Sequence, residues 1–262
     1  ASRISHGNLS QLVRNVAADY TEVIRSDSST LLFLPLAHVL ARGVLLVAVE
    51  RGMLVGHLSE PTQLLGQLGP YKPTFLVVVP RLLEKIEAAV AAKAESAHLG
   101  GLFRKARQTA IDVAEWRSRY GDEPAPAPLR RAHRFYDALF FRKMRALFGG
   151  RIETLLCGAS PLDPDTARFF TGAGLPVVEG YGLTETTATV TGNRPGEVRF
   201  GTVGRPVPGA SIRTSDEGEI LVAGIVVISG YLHDEATEGA FVAGYFRTGD
   251  LGSLDDDGFL TV

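Results

Sequence analysis

The segment Glu179–Thr186 brings together residue types that suit a bound nucleotide. It reads Glu-Gly-Tyr-Gly-Leu-Thr-Glu-Thr and follows a β-branched run, which predicts a strand whose carboxyl end faces a ligand site. The two glycines let the backbone approach a ligand closely. Tyr181 offers a flat apolar face for a base, Thr184 a hydroxyl, and Glu185 a carboxylate able to hold Mg²⁺. On chemistry alone, a glycine-rich surface turn is the alternative.

Further motifs accompany this segment along the chain. They are Ser5-His6-Gly7-Asn8-Leu9, Leu34-Pro35-Leu36-Ala37-His38, Val79-Pro80-Arg81, Gly158-Ala159-Ser160-Pro161-Leu162, Gly201–Gly209 and Tyr245–Leu251. With Tyr-Gly-Leu-Thr-Glu-Thr at 181–186, they resemble, in the same order, the signatures of the adenylate-forming superfamily. That superfamily includes acyl-CoA synthetases, firefly-type luciferases and the adenylation domains of peptide synthetases. The resemblance covers essentially the whole chain.

The resemblance implies two half-reactions. A carboxylate attacks the α-phosphate of ATP and gives an acyl-adenylate and pyrophosphate. The thiol of CoA then displaces AMP and forms a thioester. In the first step an anion must approach an anion, so a metal and oriented donors must neutralise the phosphate. The implied ligands are therefore ATP or AMP, Mg²⁺, CoA and a fatty acid.

The resemblance also assigns roles to single residues. Thr184, Glu185 and His38 are the expected catalytic residues: Thr184 would bond the α-phosphate, Glu185 would hold Mg²⁺, and His38 would lie near the acyl carboxylate. Asp250 would accept hydrogen bonds from both ribose hydroxyls, a role that suits a carboxylate. Tyr181 would stack on adenine. The rest of the nucleotide slot would be formed by Gly158, Ala159, Ser160, Glu179, Gly180 and Gly182.

Three residues have structural alternatives. Asp250 could instead cap the turn beside Gly249, and His38 could be a hydrogen-bonded core histidine. Cys157 is the one cysteine of the chain and ends an apolar run. We expect it to be a buried thiol at a strand end, because a nucleophile needs a base and an electropositive site.

Strand and helix patterns alternate through the first part of the chain, which predicts a parallel-type sheet layered with helices. The run Thr-Phe-Leu-Val-Val-Val at 74–79 is typical of a strand buried on both faces. Other strands are predicted at 30–35, 53–55, 152–156 and 176–179. Helices are predicted at 9–18 with Asn8 as N-cap, 39–49, 60–68, 80–108 with a break at Gly100-Gly101, 110–119, 129–148 and 164–172.

The pattern changes after Gly182, where glycine and proline become frequent and short strands follow at close spacing. Turn signals at Asp216–Glu219 and Asp256–Gly258 predict hairpins. The predicted organisation is an α/β subdomain at 1–182, with a helical insertion at about 81–149, and a small antiparallel β subdomain at 183–262. By the resemblance, this is part of the large N-terminal domain of the fold, and the phosphate-binding loop and the C-terminal lid domain lie outside the chain.

The composition and charge of the chain limit the classes of partner that it can have. The chain has 262 residues, a hydrophobic content of 45% and a formal net charge of −2, which predicts a large core and no nucleic-acid partner. Cationic residues gather between about 104 and 145. They are either a solvated surface or a face that meets CoA phosphates or a membrane. The single cysteine fits a reducing cytoplasm, and the apolar run 43–49 is too short to span a bilayer. The oligomeric state is not predicted.

The long helical block and the segment Leu34–Arg42 resemble long-chain fatty acyl-CoA synthetases. A tunnel lined by Val39, Leu40 and the helix Val44–Val49 would suit an alkyl chain, since each buried CH₂ contributes about 0.8 kcal/mol. The leading hypothesis is activation of a long-chain fatty acid by the full-length protein. The alternatives are a fragment that binds nucleotide or acyl-adenylate and is inactive in isolation, and adenylation with a carrier-protein thiol as acceptor.

Overall fold

A seven-stranded sheet forms the centre of the computed structural model, which describes residues 1–262 except for the side chain of Asp234. The strand order is β2-β1-β3-β4-β5-β6-β7. Neighbours among the first five strands pair in parallel, and β6 and β7 extend the sheet with antiparallel pairing. The strands are β1 Ser29–Leu32, β2 Leu54–His57, β3 Phe75–Val78, β4 Thr154–Cys157, β5 Val177–Tyr181, β6 Thr191–Gly192 and β7 Arg205–Pro206.

Strand β3 explains the layering on both faces of the sheet. All four of its residues are buried. Phe75 and Val77 pack into the cluster beneath the first two helices, α1 His6–Asp19 and α2 Val39–Arg51. Leu76 and Val78 point the other way, into a larger cluster covered by the remaining helices. These are α3 Leu64–Tyr71, α4 Pro80–Ser96, α5 Gly100–Tyr120, α6 Ala127–Tyr136, α7 Arg142–Leu147 and α8 Pro164–Gly172.

The carboxyl-terminal part forms an antiparallel sheet of four strands in the order β10-β11-β9-β8, and a separate hairpin of β12 and β13. The strands are β8 Ala210–Thr214, β9 Glu219–Gly224, β10 Phe241–Val242, β11 Tyr245–Leu251, β12 Ser253–Leu254 and β13 Leu260–Thr261. The turn predicted at Asp216–Glu219 joins β8 to β9, as expected. The turn predicted at Asp256–Gly258 joins β13 to the short strand β12, and that strand was not predicted. The predicted fold class, a parallel-type sheet layered with helices and followed by a small antiparallel β unit, is confirmed.

Helix α1 connects the two sheets. Its Leu12 is buried in a third apolar cluster together with residues of the antiparallel sheet such as Ile220 and Val222. The Asn8 side chain donates hydrogen bonds to the carbonyl oxygens of Ile225 (2.7 Å) and Val227 (3.0 Å). The start of α1 therefore holds the segment that follows β9.

Two details of the helix prediction are wrong. The N-cap of α1 is Ser5, whose hydroxyl accepts a hydrogen bond from the Asn8 backbone N–H at 3.0 Å, and Asn8 lies in the first turn of the helix. The chain also breaks before Gly100, after which α5 continues unbroken to Tyr120. The low helix propensity of glycine predicted the interruption at this pair, but Gly100 is the first residue of α5 and is buried.

The predicted helix at 129–148 is interrupted as well, because Asp137–Phe141 forms a π-helical turn between α6 and α7. The division into subdomains at Gly182 stays a prediction, and the main sheet takes in β6 and β7 from beyond that residue. Of the helices that the structure describes, none combines the length and apolar character needed to span a bilayer.

Candidate functional site

The segment after β5 folds into a tight turn, residues 183–188, which we call the motif turn. Thr184–Thr186 forms one turn of 3₁₀ helix. The buried Thr186 hydroxyl accepts a hydrogen bond from the Leu183 backbone N–H at 2.8 Å. The buried Thr187 hydroxyl donates to the carbonyl oxygen of Val226 at 2.6 Å. Two threonines therefore fix the turn, and the exposed side chain of Thr184 is left facing outward.

Gly182 is needed for the motif turn to close on itself. Thr187 and Ala188 take left-handed backbone conformations, with φ of 54° and 84°. They return the chain so closely that a Cβ at Gly182 would overlap the carbonyl oxygen of Ala188. This backbone reversal places Thr184 at the end of β5.

Glu185 lies in a hydrogen-bonded group that the sequence did not reveal. Its Oε1 accepts hydrogen bonds from the hydroxyls of Tyr231 (3.1 Å) and Ser2 (3.3 Å). Its carbonyl oxygen accepts a third from the Ile228 backbone N–H at 2.9 Å. Burial, and then the charge of Glu185, raise the pKa of Tyr231, so the phenol stays protonated and keeps donating. Ser2 and Tyr231 are 229 positions apart in the chain, and no local pattern predicts that they meet at this carboxylate.

Asp250 and Tyr181 meet directly. The Tyr181 hydroxyl donates to Oδ2 of Asp250 at 2.7 Å. Burial, and then the hydrogen bond to Asp250, raise the pKa of Tyr181. The turn beside Gly249 is held by another residue, since the Gly249 backbone N–H donates to Oε1 of Glu219 at 3.0 Å. The Asp250 side chain therefore reaches from β11 to the end of β5.

The ends of β4 and β5 form the wall predicted for the nucleotide slot. Cys157 and Glu179 are paired in register, so the residues after them lie side by side. A Cβ at Gly158 would lie 3.2 Å from the carbonyl oxygen of Gly180, which shows how close the two backbones are. Ala159 has a φ of 73°, and Ala159 and Ser160 are exposed.

Glu179 is a buried carboxylate beside this wall, with 7% of its surface exposed. Burial raises its pKa to about 7. Its neighbour Cys157 is buried, as expected, and burial followed by the charge of Glu179 raises the pKa of the thiol to about 12. Cys157 is thus a neutral thiol at physiological pH and has no thiolate to act as a nucleophile.

A cavity of about 290 Å³, lined mostly by apolar side chains, opens between α1, α2 and the strands β3 to β6. We call it the apolar cavity. Its lining includes the predicted tunnel residues Val39, Leu40 and Val44. Val49 was also predicted to line the tunnel, and this is wrong: it is 72% exposed, because it lies on the outer face of α2. The volume lies near the lower end of the usual range for ligand sites, about 300–1,000 Å³.

His38 lies at the mouth of the apolar cavity and begins α2. It is exposed, and its Nδ1 accepts a hydrogen bond from the Leu40 backbone N–H at 3.3 Å as the helix N-cap. The alternative of a buried core histidine is therefore wrong. The cavity lining joins His38 to further predicted site residues, namely Gly158, Ala159, Gly180, Tyr181, Gly182 and Thr184. Asp250 reaches the same place through Tyr181, whereas Ser160, Glu179 and Glu185 lie outside that lining.

Glu185 is the residue whose chemistry fits a magnesium ion. Mg²⁺ in nucleotide sites is usually held by one or two carboxylates together with phosphate oxygens and water. Among the residues that the structure describes, no group of three His, Cys, Asp or Glu side chains converges as a cage for a metal. A single carboxylate at the motif turn fits an ion that arrives with a phosphorylated ligand.

Comparisons with known proteins agree with this geometry. A family model described as "AMP-binding enzyme" matches residues 3–232. Long-chain-fatty-acid–CoA ligase FadD15 of Mycobacterium bovis is 42% identical over 262 residues, which are 99% of this chain and 43% of that protein. Long chain acyl-CoA synthetase 8 of Arabidopsis thaliana is 31% identical, with 99% of this chain and 39% of that protein covered. The chain thus spans less than half the length of these relatives.

Solved structures show the same fold. The N-terminal domain of FACL13 from Mycobacterium tuberculosis superposes with a TM-score of 0.68 at 19% identity, over 99% of this chain and 56% of that one. The o-succinylbenzoate CoA synthetase of Bacillus subtilis, in complex with ATP and magnesium ion, also gives 0.68, at 21% identity over 100% of this chain and 46% of that one. With a family model matched over most of its length, the chain belongs to the AMP-binding enzyme family.

Proposed function

We propose that this chain is the adenosine- and acyl-binding region of an AMP-forming fatty acid–CoA ligase. One observation carries the proposal: the apolar cavity ends at Tyr181, Gly182 and Thr184, the residues of the expected nucleotide slot. An alkyl chain in that cavity would present its carboxylate beside the exposed hydroxyl of Thr184. Bringing the carboxylate and the α-phosphate together at one point is what the adenylation step requires.

The remaining roles follow from the surroundings of each residue. Tyr181 would stack on adenine while its hydroxyl holds Asp250, and Asp250 would accept hydrogen bonds from the ribose hydroxyls. Thr184 would donate to the α-phosphate, and His38 would lie beside the acyl carboxylate at the cavity mouth. The slot wall would be Gly158, Ala159, Ser160, Glu179, Gly180 and Gly182. Glu185 would hold Mg²⁺, which neutralises phosphate charge when it is bound.

A long-chain fatty acid is the proposed substrate, and CoA the proposed acceptor. The name of the relative at 42% identity supports both, and the apolar lining of the cavity supports an alkyl substrate. A peripheral membrane contact through the cations between about residues 104 and 145 stays a prediction.

The test is made on the full-length protein that contains this chain. Purified enzyme with ATP, Mg²⁺ and a long-chain fatty acid should release pyrophosphate, and with CoA it should form AMP and an acyl-CoA thioester. Absence of pyrophosphate with every fatty acid supplied would overturn the proposal. Adenylation followed by transfer only to a carrier-protein thiol, and not to CoA, would keep the first half-reaction and change the acceptor.

The 262-residue chain alone gives a separate measurement. It spans 43% of the ligase it matches at 42% identity, so we expect it to bind AMP and not to turn over ATP. Calorimetry with AMP, beside a pyrophosphate assay on the same sample, checks this. Turnover by the isolated chain would contradict it.

A further inference from the structure

Glu185 is held at two points by one short segment that follows β9, residues 228–231. The Ile228 backbone N–H donates to the carbonyl oxygen of Glu185 at 2.9 Å. The Tyr231 hydroxyl donates to Oε1 of the same residue at 3.1 Å. The backbone and the carboxylate of Glu185 are therefore fixed from the same direction, by residues that lie more than 40 positions further along the chain.

Tyr231 is itself fixed at its backbone. Its backbone N–H donates to the Thr237 hydroxyl at 2.9 Å, and it forms an antiparallel bridge with Ser2. Gly230, directly before it, has a φ of 149°, and a Cβ there would lie only 2.8 Å from the Thr237 hydroxyl. A tyrosine side chain has only two torsions, so a fixed backbone restricts where the Tyr231 hydroxyl can be.

The two carboxylate oxygens of Glu185 differ in their surroundings. Oε1 accepts hydrogen bonds from Tyr231 and, at 3.3 Å, from the Ser2 hydroxyl. None of the described residues donates to Oε2, and this oxygen is open to solvent. Glu185 follows the exposed Thr184 in the same 3₁₀ turn. One oxygen is thus held in place, and the other is left for a ligand that reaches the motif turn.

We propose that Tyr231 is a positioning residue for magnesium: its hydroxyl holds Oε1 of Glu185 so that Oε2 is presented to the ion. The inference rests on the proposed function and adds a residue that lies outside the motif turn. Mg²⁺ requires a nearly ideal octahedral arrangement of ligands, so a single carboxylate ligand must be well oriented. Hydrogen bonds to ligating carboxylates supply this orientation, and removing them lowers metal affinity or activity by about 10- to 100-fold.

The first measurement is ATP binding by the full-length enzyme, without fatty acid, in the presence and absence of Mg²⁺. Calorimetry gives the factor by which Mg²⁺ tightens ATP binding. Tyr231→Phe keeps the ring and removes the hydroxyl, and we expect this factor to be about tenfold smaller than in the wild type. The Kd for AMP without Mg²⁺ should be the same in both proteins, because the variant leaves Tyr181 and Asp250 intact.

The second measurement is the Mg²⁺ concentration that gives half-maximal pyrophosphate release. It should rise by about tenfold in Tyr231→Phe, and excess Mg²⁺ should restore most of the wild-type rate. Ser2→Ala removes the longer of the two hydrogen bonds to Oε1 and should give a smaller rise. Tyr71→Phe is the matched control and should behave as the wild type: Tyr71 is also half-buried, and its hydroxyl donates to the Leu54 carbonyl at 3.3 Å, on the edge strand β2.

A double-mutant cycle shows whether Tyr231 acts through Glu185. In the Glu185→Ala background the carboxylate that Tyr231 orients is gone. Tyr231→Phe should therefore cause no further change in the factor by which Mg²⁺ tightens ATP binding. A further tenfold loss in that background would mean that Tyr231 acts on another group, and the inference would be wrong.

The outcomes separate the two proposals. No pyrophosphate release by the wild type with any fatty acid would overturn the proposed function. An active wild type whose Mg²⁺ requirement is unchanged in Tyr231→Phe would overturn the positioning role, while the ligase activity stands. Loss of AMP binding in Tyr231→Phe, or failure of that variant to fold, would show that the hydroxyl supports the fold rather than the carboxylate, and would overturn the inference too.

Discussion

Thr184, Thr186 and Thr187 have the same side chain and three different tasks. Thr186 and Thr187 are fully buried and use their hydroxyls to fix the motif turn. Thr184 is exposed at the end of β5, where the proposed contact with the α-phosphate would be made. The resemblance selected Thr184, and chemistry alone did not distinguish among the three. Their different tasks depend on where the turn leaves the sheet.

The roles of the two carboxylates can be tested separately. Replacing Asp250 by alanine, or Glu185 by alanine, in the full-length enzyme should lower adenylation by about 100-fold or more. Asp250→Ala removes the proposed acceptor for the ribose hydroxyls, and Glu185→Ala removes the proposed ligand of Mg²⁺. Fatty acid-dependent pyrophosphate release is the measurement. Asp256→Ala, an exposed carboxylate near the second hairpin, is the control and should behave as the wild type. Near-normal pyrophosphate release in Asp250→Ala or Glu185→Ala would refute the corresponding role.

Glu179 should make the stability of the fold depend on pH. The pKa of Glu179 is about 7 in the folded chain, whereas its ordinary value is 4.5. As pH rises, the Glu179 carboxyl therefore loses its proton in the unfolded chain before it does so in the folded chain. The protonated Glu179 contributes fully to the free energy of unfolding below pH 4.5, and this contribution is lost as pH rises through 7. Between pH 5 and 8 the wild type should lose about 2–3 kcal/mol that Glu179→Gln retains.

Urea unfolding of the 262-residue chain at several pH values measures this difference. Glu84→Gln is the matched control, because Glu84 is exposed and its charge acts on the same Cys157 thiol. Stability curves for the wild type and Glu179→Gln that stay parallel across the pH range would show that Glu179 has an ordinary pKa.

At the scale of elements, the sequence predicts well where one local signal dominates. The strand at 74–79 was predicted from its β-branched run, because burial on both faces leaves no polar side chain to obscure it. Helix α8 was predicted at its observed bounds, Pro164–Gly172, because proline opens it and glycine ends it. The π-helical turn at Asp137–Phe141 was missed, since no local preference separates it from the helices on either side. Tertiary contacts decide such a feature.

The packing of α8 on α5 depends on Gly172. A Cβ there would overlap the backbone carbonyl of Ala110. Because the overlapping atoms belong to the backbone, they cannot move aside as the end of a flexible side chain could. Gly172→Ala should therefore destabilise the chain by about 1–3 kcal/mol through overpacking. Gly66→Ala in α3 is the control: a Cβ there meets nothing within 4 Å, and the better helix propensity of alanine should add up to about 1 kcal/mol.

Urea midpoints of both variants, measured under the same conditions, give the comparison. The predicted result is opposite in sign for the two glycines. A Gly172→Ala variant as stable as the wild type would mean that α5 and α8 separate without cost, contrary to the contact described.

At the scale of the whole molecule, the attachment of the antiparallel sheet was beyond the reach of the sequence. Asn8 was predicted to cap α1, since asparagine before an apolar run is a common N-cap. In the structure Ser5 has that role, and the Asn8 side chain reaches 217 and 219 positions along the chain, to the carbonyls of Ile225 and Val227. A local pattern contains no information about such distant partners. The candidate site also depends on partners that are distant in the sequence, because the hydroxyls of Ser2 and Tyr231 both donate to Glu185.

Removing the Asn8 side chain should therefore destabilise the four-stranded antiparallel sheet more than the seven-stranded sheet. Asn8→Ala leaves two carbonyls without their donor, and we expect a loss of about 1–3 kcal/mol together with faster hydrogen exchange in β8 and β9. Ser5→Ala is the control: it removes the helix cap, worth about 1 kcal/mol, and leaves the Asn8 bonds to Ile225 and Val227 available.

Hydrogen exchange followed by mass spectrometry distinguishes the two variants. In Asn8→Ala, exchange in β3 should stay slow while β8 and β9 exchange faster. Equal acceleration in β3 would mean that both sheets unfold together, and that Asn8 does not act as the local attachment.

Tyr181 lies in the wall of the apolar cavity and also donates its hydroxyl to Asp250. Any shift of its ring caused by a ligand in the cavity is passed to the carboxylate expected to bind ribose. Thermodynamic linkage then requires reciprocity: if an acyl chain changes the Kd for the nucleotide by some factor, the nucleotide changes the Kd for the acyl chain by the same factor. The two substrates would report on each other's presence through one phenol, before any bond between them is made.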